Sequence, residues 1–314
     1  MTKRGLLTII FVLLITNIVT LVLLSKKDKL DESSDNINEV DNNISQEKVT
    51  SLDDVVASFQ GEDISYRDWM RSLRGEYGKE HLEEMMLKKV VSTLAKEEDL
   101  QVNEKVIERE ISFLTSMSGL ISDEELAELQ KTWREDLIFQ HQLEALLTEA
   151  VDISDAEAQE HYNHYQNQYD FSATFQLSHI VVDDMDVAEK IIRELEEGAQ
   201  FSLLAQEYSI DEDTKDAGGY LGFFTKGSQF VPYGYRDIVA DLEEGSYSEP
   251  VSLGNEIVIV FLHRNLPEIT FSFEEIKDDI KRELAIKQID KQKEIKELWE
   301  EQNIDWIFGD EHGE

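Results

Sequence analysis

Apolar residues follow helical spacing in two regions of the chain, one after residue 50 and one at the C-terminal end. The first region predicts a short strand and turn and then several helices, whose starts are marked by residues that favour N-cap positions: Ser65, Asn103, Ser122 and Ser154. The second predicts one long amphipathic helix that begins after Ser272. An amphipathic helix needs a partner for its apolar face, so we expect it to pack on the N-terminal helices.

The central segment, residues 174–265, has a different pattern, in which strand-like runs alternate with short helices. Strands are predicted at 174–182, 250–252 and 256–261, and helices at 187–195 and 201–208. A glycine-rich stretch at 218–224 lies between the two groups. We therefore expect an α+β fold: a small domain with a four-stranded antiparallel sheet, inserted into an all-α body.

The N-terminal segment has the features of a membrane anchor. Residues 6–24 carry no charge and would span about 30 Å as a helix, which matches the apolar core of a bilayer. Because no small-residue cleavage site precedes the lysines at 26 and 27, we expect an uncleaved, single-pass signal anchor. Positive residues flank both ends, so charge alone leaves the orientation open; we place the N-terminus in the cytoplasm and the body outside.

These patterns divide the chain into five parts. We expect a cytoplasmic tip and transmembrane helix at 1–24, a polar flexible tether at 25–50, a helical domain at 51–171, the inserted domain at 172–266 and a C-terminal helix at 267–314 that completes the helical body.

Composition excludes several classes of function. The net charge of -38 argues against nucleic acid as a partner, since phosphate backbones need Lys and Arg. An adaptation to salt or alkaline surroundings stays open. Without cysteine the chain has no disulfide, no thiolate metal site and no lipid attachment at an N-terminal cysteine. His161 and His164 have helical spacing with Glu157 and Glu160, but ligands for a closed site are missing, so we expect neither metal nor cofactor.

Four stretches of the central segment carry a family resemblance: LSHIVV, EGAQFSLLAQEYSIDEDTKDAGGYLGFF, FVPYGYRDIV and EEGSYSEPVSLGNEIVIVFLHR. In this order they resemble a complete parvulin (PpiC) domain, with the block from Gly198 to Gly222 the most specific part. The opening VVASFQGEDISYRDWMRSLRGEYG resembles the PrsA and SurA foldases, in which a parvulin domain is inserted into a helical chaperone body. PrsA proteins are lipoproteins, so this cysteine-free chain resembles a transmembrane-anchored relative.

The resemblance implies a site without covalent chemistry, in which two histidines on neighbouring strands lie beside an acid or a cysteine. His179 stands at the first histidine position and Asp211 at the acidic one, while Glu256 replaces the second histidine. Tyr220 replaces the usual Asp after the glycine pair. The positions expected to bind substrate are Leu221, Phe230, Tyr233, Tyr235 and Ser252.

Two functions of different classes follow from the resemblance. The first is a peptidyl-prolyl isomerase and foldase for exported polypeptides that contain X-Pro bonds. The second is a holdase chaperone whose parvulin-like domain binds unfolded chains without turnover; the replacements at Glu256 and Tyr220 favour it. The intact His179, Asp211 and glycine block favour the enzyme, and the sequence leaves a homodimer open.

Overall fold

The computed structural model describes residues 51–302, 304, 306 and 307 and divides into two compact units, with the boundary between Arg74 and Gly75. The predicted anchor at 6–24 and tether at 25–50 lie outside the described residues. Within the described part of the chain, every helix is too short or too polar to cross a bilayer.

The first unit contains a two-stranded antiparallel hairpin, formed by β1 (Val55–Phe59) and β2 (Glu62–Ser65). Gln60 and Gly61 make the turn with positive φ angles. The helix α1 (Tyr66–Glu97) begins directly after it, and the Ser65 hydroxyl caps it by accepting a bond of 3.1 Å from the Asp68 amide. The strand and turn were expected here, whereas an all-α body was not the right description of this region.

The boundary between the units falls inside α1, and the remaining helices of the body lie in the second unit. They are α2 (Glu104–Met117), α3 (Asp123–Thr148), α4 (Asp155–Tyr169), α8 (Phe273–Ile286) and α9 (Lys291–Glu301). Ser122, Ser154 and Ser272 cap α3, α4 and α8 as the sequence predicts. The prediction of one long C-terminal helix was wrong, because α8 ends at Ile286 and a second helix follows. The Asp290 carboxylate caps this second helix by accepting from the amides of Gln292 and Lys293.

Two apolar clusters hold the C-terminal helices on the earlier ones. In the first, Phe271, Ile276 and Ile280 pack with Val106 of α2 and with the α4 residues Ala158, Tyr162 and Tyr169. In the second, Ile286, Ile289, Ile295 and Leu298 pack against Val91 of α1 and Leu143 and Leu147 of α3. The C-terminal helices α8 and α9 therefore complete the core of the N-terminal helices.

The central segment forms one antiparallel sheet of five strands, in the order β4-β3-β7-β5, with β6 also on β7. The strands are β3 (Thr174–Val182), β4 (Tyr220–Thr225), β5 (Ser246–Tyr247), β6 (Val251–Leu253) and β7 (Glu256–Leu266). The expectation of four strands was wrong because the strand before β7 is split. Between its halves the Ser248 hydroxyl accepts a bond of 3.0 Å from the Val260 amide, and Pro250 has no amide hydrogen to donate.

Helices cover both faces of this sheet. On one face, α5 (Met185–Glu196) and α6 (Phe201–Tyr208) pack on Ile180, Val182, Ile257 and Ile259. On the other, the short α7 (Tyr235–Ala240) packs on the alternate residues Leu177, Val181, Val258 and Val260. His179 belongs to this second face, since side chains alternate along a strand.

Two buried polar side chains join the sheet to the loop between α2 and α3. The Gln176 amide donates to the Gly119 carbonyl at 2.8 Å, and Arg264 donates to the Ile121 carbonyl at 3.0 Å and to the Asp123 carboxylate at 2.8 Å. An antiparallel bridge between Phe171 and Ile269 joins the segments where the chain enters and leaves the sheet region. The predicted domain boundaries at 171 and 266 stay predictions.

Candidate functional site

His179 lies in the middle of β3, where the neighbouring strand β4 has not yet begun. The residue is 7% exposed, and its backbone amide donates to the Gly219 carbonyl at 2.8 Å. This bond continues the β3–β4 ladder by one step beyond Tyr220. The histidine is therefore fixed at its backbone by the glycine pair that precedes β4.

Gly219 can hold this position because it has no side chain. Its φ angle is +75°, and an added Cβ would lie 2.0 Å from the His179 carbonyl oxygen. Gly218, at φ +69°, has a similar restriction against Ser202. Gly219 is thus required by the close approach of two backbones beside His179, and Gly218 by its close contact with Ser202 of α6.

Asp211 is brought to His179 by the segment that follows α6. Beyond the part of β3 that pairs with β4, the Ile210 amide donates to the Val181 carbonyl at 2.8 Å, and the Ser209 hydroxyl accepts from the Val181 amide at 3.2 Å. The same hydroxyl accepts from the Asp211 amide at 3.3 Å. This segment takes the place of an edge strand and points the Asp211 carboxylate towards the histidine.

Four side chains meet in a hydrogen-bonded group, which we name the His179 cluster: His179, Asp211, Thr214 and Tyr235. The distances from His179 are 2.8 Å from Nε2 to Asp211 Oδ2, 2.9 Å from Nε2 to Thr214 Oγ1 and 2.6 Å from Nδ1 to the Tyr235 hydroxyl. Thr214 Oγ1 also donates to Asp211 Oδ2 at 2.5 Å. Each polar atom of the histidine ring therefore has a partner.

Burial, nearby charges and hydrogen bonds shift the pKa values in this cluster and determine which groups carry a proton. Burial lowers the pKa of His179, and the carboxylates of Asp211 and Glu256 offset only part of that effect. Burial raises the pKa of Asp211, but the hydrogen bonds from Thr214 and His179 outweigh it and hold the pKa below its usual value. Burial, Asp211 and Glu256 raise the pKa of Tyr235. At neutral pH the cluster thus contains a neutral imidazole, a carboxylate and a phenol.

Only one tautomer of His179 satisfies these charge states. An ionised Asp211 can only accept, so Nε2 carries the hydrogen and donates to it. Nδ1 then accepts from the Tyr235 hydroxyl. The chain of donors runs from Tyr235 through His179 to Asp211, and it ends on a more exposed group: the side chain of Asp211 is 25% exposed against 8% for His179.

The expected apolar wall is formed by partly different residues. Tyr235 is buried, and Leu221 is half-buried in the same apolar cluster. Phe230 and Tyr233 are 87% and 91% exposed and contribute no packed wall; Val231, which the sequence analysis missed, takes that place. In this loop Val231 is therefore the buried side chain, and the rings of Phe230 and Tyr233 are exposed.

Among the described residues, the side chains of Glu256 and Ser252 form no hydrogen bond with the His179 cluster. Ser252 is an exposed residue of β6, and its neighbours Val251 and Leu253 make the apolar contacts of that strand. Glu256 is exposed at the start of β7, where it pairs with Leu253 across the hairpin. No hydrogen bond joins it to the cluster among the described residues, but its charge raises the pKa of His179 and of Tyr235.

The other unusual polar positions have partners of their own outside the cluster. The Tyr220 hydroxyl accepts a bond of 2.9 Å from the buried Gln176 amide. His263 lies inside β7, 2.7 Å from the Ser178 hydroxyl, and burial lowers its pKa to about 4. His161 lies 3.7 Å from Glu283 and His164 donates to the Glu160 carbonyl, so these two histidines have separate partners.

Comparison with known proteins decides the family. A family profile described as a PPIC-type PPIASE domain matches residues 153–278. The protein named "Putative peptidyl-prolyl cis-trans isomerase YacD" of Bacillus subtilis is 32% identical over 267 residues, which cover 85% of this chain and 90% of that protein. This chain belongs to the PpiC-type peptidyl-prolyl isomerase family.

Other members of the PpiC family are similar over most of the chain. "Foldase protein PrsA 4" of Bacillus cereus is 31% identical over 247 residues, 76% of this chain and 79% of that protein. A crystal structure of the peptidylprolyl isomerase PrsA from Bacillus cereus covers 82% of this chain and 95% of its own, at 24% identity and a TM-score of 0.32. Family membership rests on the sequence relatives.

Thr214 is the residue of the His179 cluster that the sequence analysis missed. It follows Asp211 by three residues, a spacing at which a hydroxyl can reach back to a carboxylate within one turn. The Thr214 carbonyl also accepts from the Gly219 amide at 2.9 Å. One residue thus contacts the carboxylate, the histidine and the glycine that holds the histidine backbone.

Proposed function

We propose that this chain is a peptidyl-prolyl cis-trans isomerase and foldase that acts on unfolded exported polypeptides. The observation that carries the proposal is the His179 cluster, in which a buried chain of hydrogen bonds ends on an ionised, partly exposed Asp211. Its PpiC membership supports the reaction, and the foldase names of its relatives support the class of substrate.

The reaction needs a way to weaken amide resonance. The planar X-Pro amide carries partial negative charge on its carbonyl oxygen, and rotation about its C–N bond has a barrier of about 18–20 kcal/mol for a peptide bond. The twisted amide has lost that resonance and holds less charge on the oxygen. A carboxylate beside the carbonyl oxygen therefore disfavours the planar amide more than the twisted one, which lowers the barrier.

In this mechanism the cluster residues have separate roles. Asp211 is the catalytic residue, because its carboxylate is more exposed than the histidine and a peptide can reach it. His179 acts through it by donating to Oδ2, and Tyr235 fixes the tautomer that makes this donation. The proline ring packs on Leu221 and Leu253, half-buried residues of the same apolar cluster as Tyr235.

The test is the rate of a proline-limited refolding reaction with and without the full-length chain. Asp211→Asn keeps the shape of the side chain and removes its charge, so we expect kcat/KM to fall about 10- to 1000-fold. Asp213→Asn is the matched control, since only the backbone amide of Asp213 contacts Asp211. Equal rates for the Asp211→Asn and Asp213→Asn proteins would reject this placement of the site.

A second function, a holdase without turnover, has one observation in its favour. Glu256 stands at a histidine position of the family, so the site has one histidine where the family has two. A holdase would suppress aggregation of an unfolded protein and would not accelerate proline-limited refolding at any concentration. If Glu256 weakens an active site, Glu256→His will raise kcat/KM; if the domain only binds, the same change will leave the refolding rate uncatalysed.

We place the body outside the cytoplasmic membrane, with residues 6–24 as its anchor. The support is the uncharged length of this segment. External protease added to intact protoplasts is expected to digest residues 51–314 while a cytoplasmic marker protein stays whole. Digestion that begins only after lysis would place the body in the cytoplasm and reject the exported clients as well.

A further inference from the structure

Thr214 has contacts that its position in a loop does not require. Its hydroxyl donates to Asp211 Oδ2 at 2.5 Å and lies 2.9 Å from His179 Nε2. Asp211 Oδ2 therefore receives two hydrogen bonds, while Oδ1 receives a long one of 3.4 Å from the Asp213 amide. The carboxylate is held by one oxygen, and its other oxygen is left for another group.

The backbone of Thr214 is also linked to His179, through Gly219. Its carbonyl accepts from the Gly219 amide at 2.9 Å, and the Gly219 carbonyl accepts from the His179 amide at 2.8 Å. The loop from Asp211 to Gly219 thus touches the histidine at both its ring and its backbone. Rotation of the Thr214 side chain would remove one of the two hydrogen bonds to Asp211 Oδ2 and a neighbour of His179 Nε2.

We propose that Thr214 is a positioning residue for the isomerase reaction: its hydroxyl fixes the orientation and the charge of Asp211 and secures the Nε2–H tautomer of His179. The proposal rests on the proposed function for its kinetic consequence. Its structural consequence, the state of Asp211 and His179, does not depend on turnover and can be measured separately.

The pH dependence follows from the charges around Asp211. The titratable groups of the cluster are His179 on β3 and Tyr235 on α7, and Glu256 at the start of β7 acts on both. His179 and Tyr235 are neutral at pH 7, so hydrogen bonds to Oδ2 have a large share in keeping Asp211 ionised. Removal of the Thr214 hydroxyl raises the pKa of Asp211, and the acid limb of kcat/KM then moves to higher pH.

The variants are Thr214→Val, which removes the hydroxyl at nearly constant volume, and Thr214→Ser, which keeps it. Thr225→Val is the control, an exposed threonine on β4 of the same sheet. In the full-length chain we expect Thr214→Val to lower kcat/KM about 10- to 100-fold, the size of one hydrogen bond to a charged group. Thr214→Ser is expected to restore most of the activity, and Thr225→Val to keep the wild-type acid limb.

Nuclear magnetic resonance of the same proteins gives the second measurement. The carboxyl carbon of Asp211 should titrate at higher pH in Thr214→Val than in Thr214→Ser, and the ring nitrogens of His179 should show a smaller share of the Nε2–H tautomer. This comparison holds even if the wild type proves to have no isomerase activity, so failure of the proposed function and failure of this inference can be told apart.

Three results would overturn the inference. One is a folded Thr214→Val protein with wild-type titration of Asp211 and a wild-type His179 tautomer. Another is a kinetic loss in Thr214→Val without any movement of the acid limb. Thr214→Ala, a second variant without the hydroxyl, is made in case Thr214→Val does not fold. The third result is unfolding of both variants, because the hydroxyl would then be needed for the fold rather than for the orientation of the site.

Discussion

Gly219→Ala tests whether the glycine pair exists to hold His179. An alanine at φ +75° costs about 1–2 kcal/mol for a left-handed backbone. Its Cβ would also lie 2.0 Å from the His179 carbonyl oxygen, which is backbone and cannot rotate away. Overpacking of this kind costs about 1–3 kcal/mol more.

Gly222→Ala separates the two costs. Gly222 has φ +97°, but an added Cβ there has no atom within 4 Å. Gly222→Ala therefore has only the cost of an alanine in a left-handed backbone conformation, without a steric clash. The difference between the two variants is the steric cost beside His179, about 1–3 kcal/mol, which corresponds to a roughly 5- to 150-fold difference in the local opening constant.

Hydrogen exchange followed by mass spectrometry measures this opening in the peptide that contains β3. We expect faster exchange of the His179 amide in Gly219→Ala than in Gly222→Ala, and a matching loss of isomerase activity in Gly219→Ala only. Equal exchange in β3 for the two variants would refute the reasoning, since the close approach of the two backbones would then have no energetic consequence.

The remaining predictions concern charges around the sheet. Glu256→Gln is expected to lower the pKa of His179 further in a histidine proton titration, because Glu256 raises it in the wild type; an unchanged pKa would mean that the charge does not reach the ring. The pKa of His263 is about 4 in the folded chain against 6.5 unfolded, so the folded state binds fewer protons between these values. The stabilisation that neutral His263 provides is therefore complete above about pH 6.5 and falls as the pH drops towards 4. In urea unfolding, the free energy of unfolding of His263→Gln should decrease less over this pH range than that of the wild type. Arg264→Ala removes a buried cation that bonds Asp123 and Ile121. Amide hydrogen exchange at residues 118–123 should therefore become faster, while exchange in α9 stays the same. Equally faster exchange in both segments would contradict a local contact.

Helix starts were predictable because the signal is local. Ser122, Ser154 and Ser272 each bond an amide three residues ahead, within the same turn. Asn103 also precedes a helix, but its side chain bonds the Glu275 carbonyl and the Asp279 carboxylate of α8 instead of its own helix. The local sequence thus predicted that a helix starts after Asn103, but it did not reveal that the Asn103 side chain bonds α8.

The site was predictable only where a motif fixes the position. The resemblance selected His179 and Asp211, and the structure brings them within 2.8 Å. Phe230 and Val231 show the limit: they are adjacent, and which one faces the sheet depends on the turn at Pro232 and Gly234 and on the packing of α7. The split of the strand before β7 likewise depends on a hydroxyl that replaces a backbone partner, which spacing alone does not reveal.

The packing of α8 on α2 and α4 has a consequence for the order in which the chain folds during synthesis. Ile276 and Ile280 fill a core with Val106 and Tyr162, so the earlier helices emerge from the ribosome without the residues that complete them. The sheet region is synthesised in between and contains its own two clusters. Its folding brings Phe171 and Ile269 together, and this shortens the loop that must close before α8 can dock. Folding of the sheet region is therefore expected to lower the entropy cost of the step in which α8 docks.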